Sequence, residues 1–264
     1  GTRGTNGVII ITTKNANREM PATIEYNGYV SVSTRMKEAD FMSAEDLRAR
    51  MKEGWEFSGA NDKDYGDNVD WVDEVSRTGI THNHNLTFRG GGKNTSLIGS
   101  LNYSNRQGTF KKSDNENIRG RLEFTHRMFN DKLTTNLAII ANESTSGVGF
   151  NTNVYRYACI QNPTQSIYDE NGNYVERQVY FYDNPISILN ETDGMNRRRN
   201  VRFTGSLTYR PYADLTLKAM YTRKGQSSLS GSYVTHKHPS TVEGGTNGSA
   251  SRSTSDYIDN LVEL

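Results

Sequence analysis

Val201 to Thr222, VRFTGSLTYRPYADLTLKAMYT, decides how the chain must fold. Apolar or small residues recur at every second position, Val201, Phe203, Gly205, Leu207 and Tyr209, against Arg202, Thr204, Ser206, Thr208 and Arg210. Period-two alternation places the two sets on opposite faces of a strand. Pro211-Tyr212-Ala213-Asp214 then turns the chain, and Leu215, Leu217, Ala219 and Tyr221 oppose Thr216, Lys218 and Thr222 on the way back. The unit is an antiparallel hairpin with one apolar and one polar face.

The same alternation extends in both directions. In Ala22 to Arg35, Ile24, Tyr26, Gly28, Val30 and Val32 share one face, while Thr23, Glu25, Asn27, Ser31 and Ser33 share the other. Asn27-Gly28 is also a hairpin signal, but a split would leave two arms shorter than the ~9 to 11 residues a tilted membrane strand needs. One strand is therefore expected. Strand two carries His82, His84, Leu86 and Phe88, turns through Arg89 to Lys93, and leads to strand three with Leu97, Gly99, Leu101 and Tyr103. Strand four, Asn117 to Arg127, presents Ile118, Gly120, Leu122 and Phe124. After a Phe129-Asn130-Asp131 turn, strand five presents Leu133, Leu137, Ile139 and Ala141. An eighth strand is expected to begin near Ser253.

Connections between these strands alternate strictly in length. Tight turns join two to three, four to five and six to seven, whereas the other joints are longer, with long loops at 36–79, 146–197 and 230–251. Such sidedness is the habit of outer-membrane barrels. A soluble sandwich would turn every ~8 to 12 residues without it. Composition agrees: only 33% of the 264 residues are hydrophobic and mean hydropathy is −0.77, poor for a water-soluble core of this size. A barrel escapes that limit because half of each strand faces a polar lumen. A net charge of +1 argues against a nucleic-acid binder. Cys159 is the sole cysteine, which excludes an internal disulfide and reads as an incidental buried or loop thiol.

The loops hold local structure of their own. Ser43 followed by Asp46 is a capping-box signal for a helix with Ala44, Leu47, Met51 and Trp55 on one face. Second and third short helices are expected over Asp70 to Arg77 and Thr152 to Ile160, and a hairpin around Asn171-Gly172. Exposed rings beside Asn, Asp and Arg suit sugars, whose C–H faces stack while their hydroxyls hydrogen-bond, and they suit peptides as well. Trp55, Tyr155, Arg156, Tyr180 and Tyr182 are the candidate substrate contacts on this ground, each weighed against simple packing. Asp62 to Asp67 lacks a full calcium-loop pattern and reads first as a solvated acidic turn; loop calcium is the lesser reading, and no cofactor is expected. His82/His84 and His236/His238 lack a third ligand at metal spacing. No nucleophile, base and orienting group come together, so no enzyme is expected.

Gly1 to Lys14, GTRGTNGVIIITTK, completes the picture. A turn punctuated by Gly1, Gly4, Asn6 and Gly7 feeds a β-branched strand, Val8 to Thr13. With Arg3, this phrase resembles the close of the plug domain in TonB-dependent outer-membrane transporters of the SusC/RagA-like family; Thr2 and Asn15 to Asn17 depart from the family's phrase. The D-W-V-D-E-V-S-R-T-G run at 70–79 and H-N-L-T-F-R-G-G-G at 84–92 are similar to that family too. The resemblance implies an all-β architecture. Residues 1–18 would end a plug, and 19–264 would be the first seven or eight strands of a multi-pass barrel of about 22 in a Gram-negative outer membrane. It further implies energy-coupled uptake of an oligosaccharide or peptide, a SusD-like surface lipoprotein as partner, and TonB acting through a part upstream of Gly1. Two other readings stand beside it: a small passive outer-membrane barrel, and a secreted β-rich glycan-binding module.

Overall fold

The computed structural model describes residues 19–36, 41–58, 61–176, 183–244 and 248–263. The phrase read as the end of a plug lies outside them. Eight strands form one antiparallel sheet in chain order: β1 (Thr23–Ser33), β2 (Gly79–Gly91), β3 (Thr95–Gln107), β4 (Asp114–Met128), β5 (Leu133–Gly147), β6 (Thr192–Tyr212), β7 (Leu215–Val234) and β8 (Gly248–Glu263). Asn27-Gly28 runs straight through β1. Between the strands lie α1 (Ala44–Lys52), α2 (Trp71–Glu74), α3 (Thr152–Ile160), α4 (Pro185–Glu191) and α5 (Pro239–Gly244).

The register preserves the faces read from sequence across every joint. One lateral row runs Ile24, Phe88, Gly99, Leu122, Ile139 and Phe203; the row beside it on the same face runs Tyr26, Leu86, Leu101, Gly120, Ala141 and Val201. Leu101, Leu122, Val201 and Leu207 on this face are each about half exposed, at 50 to 53%. In water such a surface would be a severe liability; against lipid it is the required outer wall. Among the described residues, the buried apolar side chains lie in the loops, with Ile98 the one exception from the sheet. The sheet is thus held by its ladder and by a solvent other than water, not by a core beneath it.

Three elements extend past the alternation. β6 starts at Thr192 rather than just after Arg197, β7 runs to Val234 rather than stopping just before Ser230, and β8 starts at Gly248 rather than near Ser253. The added residues, such as Asn196, Arg197, Ser230 and Ser232, are mostly polar or glycine, and backbone pairing needs no hydrophobic period to continue. Gly194 permits the far end of this hairpin: at φ +145° it sits where a Cβ would strike the Gly231 carbonyl oxygen. α2 ends at Glu74, short of Arg77.

Leu122 lies mid-strand on the apolar face. In the full-length protein, Leu122→Lys should destabilise the folded, lipid-inserted state by about 2–4 kcal/mol, whereas Ser253→Lys on the polar face should stay within about 0.5 kcal/mol. Urea titration in lipid vesicles measures both, and equal costs would contradict the assignment of faces.

Candidate functional site

At the long-loop end of the sheet, the segments before β2 and before β6 fold together into a cap. α1 begins with a reciprocal capping box, Ser43 Oγ accepting from the Asp46 backbone N–H at 3.1 Å and Asp46 accepting from the Ser43 N–H at 3.1 Å. Ala44 and Leu47 are buried as expected, but Trp55 lies beyond the helix at 58% exposure, its ring 5.3 Å from the Arg50 guanidinium. Arg48 on α1 donates a fork to the Asp64 carboxylate at 2.8 and 3.1 Å and a further bond to the Asp67 carbonyl. The acidic turn is therefore tied to α1 through its central carboxylate.

Two buried asparagines hold the cap, Asn162 between the segments and Asn184 within the one before β6. Asn162, fully buried, accepts from the Thr164 N–H and hydroxyl at 2.8 and 2.7 Å and donates to the Lys63 carbonyl at 3.0 Å. Its own carbonyl receives the Trp71 indole N–H at 2.9 Å. Asn184, also fully buried, caps α4 through its Oδ1 and donates to the Ile167 and Val175 carbonyls. Around them, Trp71, Val72, Val75, Val154, Ala158, Ile186, Ile188 and Leu189 form one apolar cluster. Both amides satisfy backbone groups that the loops cannot pair among themselves. α4 was not anticipated, although Asn184-Pro185 is a legible start signal: a capping amide followed by proline at the first helical position.

A cavity of about 430 Å³ opens in this cap between Phe41, Met42, Asp70, Trp71, Cys159 and Gln161. Trp71, only 3% exposed, is a packing anchor that also forms part of its wall. Of the sequence candidates, Tyr155 stands on α3 with its ring edge-on to Phe110 at 5.3 Å, Arg156 is exposed beside it, and Trp55 stands apart past α1. The described geometry does not gather them into one pocket. Tyr180 and Tyr182 lie outside the described residues. The hairpin forms as read, with Gly172 at φ +78° and Tyr168 bridged to Tyr174.

Electrostatics make the cap a rigid fitting more than a reactive centre. Burial pushes the Cys159 thiol up, which keeps it protonated and unreactive despite a hydrogen bond from Tyr155. Burial also raises the Tyr174 phenol to about 12, and its hydroxyl donates to Glu191 at 3.0 Å. The Arg48 fork, then the Gly66 N–H, hold the Asp64 carboxyl below its ordinary value.

A depressed carboxylate stabilises the fold above its unfolded pKa and loses that contribution as pH falls through the folded one. Hydrogen exchange around Gly66 and Asp67, corrected for intrinsic rate, should therefore rise on acidification below about pH 4, and Asp64→Asn should remove the acid step. Asn162→Ala should cost the cap about 1–3 kcal/mol by stranding the Lys63 carbonyl and the Thr164 N–H. Exchange should accelerate over 61–72 and 150–165 while the β3–β5 amides stay protected.

No protein-family model matches the chain. Over 141 residues, 52% of the chain, it is 34% identical to the TonB-dependent receptor SusC of Bacteroides thetaiotaomicron, of which it covers 14%. Over 95% of its length it is 26% identical to the TonB-dependent receptor P26 of Formosa agariphila, covering 26% of that protein. It thus spans about a quarter or less of the length of these relatives. Among solved structures, the RagAB peptide importer in its "closed-closed" state superposes with a TM-score of 0.73 at 17% identity, over 99% of this chain and 34% of that one. The likeness in fold covers all eight strands. Shared sequence and shared strand order together make the chain similar to part of a SusC/RagA-like TonB-dependent receptor, to a stretch of outer-membrane β-barrel wall with its loops.

Proposed function

We propose that the whole protein imports a nutrient too large for passive pores, an oligosaccharide or a peptide, across the outer membrane with energy delivered through TonB. The observation that carries the reading is the two-faced sheet: an apolar outer wall, a polar inner wall, and tight turns at one end with a built cap at the other. The relatives named as TonB-dependent receptors support the energy coupling, and the importer of like fold supports uptake. In this reading the capped end faces outward, where a surface lipoprotein of the SusD kind closes over the barrel mouth. Residues 1–18 end the plug, and residues 19–264 open the barrel. Trp55, Tyr155, Arg156, Tyr180 and Tyr182 lie along the substrate's approach. The protein needs no cofactor of its own for this task, because selectivity comes from polar groups and rings.

Deleting the gene should abolish growth of the source organism on one class of oligosaccharide or peptide while leaving monomers usable. Restoring the full-length gene should rescue growth, but not in cells lacking TonB. Rescue without TonB would reject energy-coupled import and favour a passive barrel.

A further inference from the structure

Arginines of the sheet pair with carboxylates on both faces. On the outer face, Arg197 and Arg199 both meet Glu143, the former at 3.6 Å, and Arg223 meets Asp256 at 2.8 Å. On the inner face, Arg89 meets Glu25 and Arg121 meets Glu123. Other inner-face cations, among them Arg119, Arg198, Arg202 and Lys224, are exposed and have no ion-pair or side-chain hydrogen-bond partner among the described residues.

Their placement is ordered. Arg202 lies directly opposite Lys224 across β6 and β7, and Arg121 occupies the same lateral row two strands away, with Ile140 between. Like charges directly opposite each other destabilise a sheet unless an anion neutralises them. The next row toward the capped end holds Arg119, Asn142, Asn200, Gln226 and Ser255, and the one after it Asn117, Ser144, Arg198, Ser228 and Ser253. With strands about 4.8 Å apart and same-face residues about 7 Å apart along a strand, Arg121, Lys224, Arg119 and Arg198 span a field of roughly 15 by 14 Å. No acidic side chain of β4–β8 interrupts these three rows. Two grooves lie here, about 580 Å³ beside Arg121 and Arg202 and about 670 Å³ beside Asn142, Arg198 and Asn200. The Asn142 Oδ1 and Arg121 Nε atoms are buried without a hydrogen-bond partner.

We propose that this inner-wall field binds an anionic oligosaccharide, its charge carried by uronate carboxylates. The inference deepens the uptake reading and rests on it. Guanidinium forks take carboxylates in bidentate fashion, while amides and hydroxyls between the forks both donate and accept, as sugar hydroxyls do. A peptide would instead call for apolar side-chain pockets, and Ile140 is the sole aliphatic residue in the three rows from β4 to β8. At the end of the first row Tyr257 opposes Lys224 and offers a ring as a stacking face.

The test uses the purified full-length protein with its partner. Calorimetry compares a penta-uronate, the same sugar with its carboxyls reduced, and an acidic pentapeptide. The wild type should bind the uronate at least tenfold more tightly than the reduced sugar, with the gap closing as salt rises. Arg202→Gln/Lys224→Gln should erase that preference, Arg202→Lys should retain most of it, and Arg223→Gln on the outer face should not change it. Equal affinity for charged and reduced sugars, or tighter binding of the peptide, would overturn the proposal. So would an unchanged preference in the double variant accompanied by a lower melting temperature, since the cations would then anchor a protein segment inside the barrel. TonB-dependent growth on a neutral nutrient with no uronate preference would reject this inference alone; loss of all TonB-dependent uptake in the wild type would reject the reading beneath it.

Discussion

Lateral register is the constraint on which the rest depends. A single-residue slip anywhere between β1 and β8 would turn an entire apolar set inward and set arginines against lipid. Seven successive pairings avoid this, and those from β1 to β6 keep small or apolar residues beside their like. Because the outer face is solvated by hydrocarbon, the sheet requires no buried core, and a chain with one-third hydrophobic residues can be fully ordered.

Stability is organised differently at the capped end, where water returns. There the chain builds a small conventional core, and its polar keystones are amides rather than ion pairs. Asn162 and Asn184 each close several backbone groups at once, Asn162 tying the loop before β2 to the one before β6 and Asn184 bracing the latter internally. Arg48 adds a third tie between α1 and the acidic turn. A rigid cap of this kind can hold exposed side chains such as Tyr155 and Arg156 in place without contributing chemistry itself.

Charge is distributed by the same logic. On the outer wall Arg197, Arg199 and Arg223 are paired with Glu143 and Asp256 on neighbouring strands, which lowers the cost of a charge near lipid. On the inner wall cations such as Arg202 and Lys224 stand side by side without an ion-pair partner among the described residues. The difference is visible only once register shows which residues stand side by side.

Sequence alone determined the strands, their faces and the sidedness of their connections, because a period of two is a local property that each strand declares for itself. It also located α1 and α3, whose capping residues are local signals. The polar extensions of β6, β7 and β8 were not legible, since pairing there rests on backbone hydrogen bonds that leave no hydrophobic period. Nor was the cap: Trp71 meets Asn162, and Asn184 meets Ile167 and Val175, through contacts that loop composition does not encode. Tertiary structure alone set Arg202 opposite Lys224 and left Trp55 apart from Tyr155, because both depend on how distant segments are brought to one height on the wall.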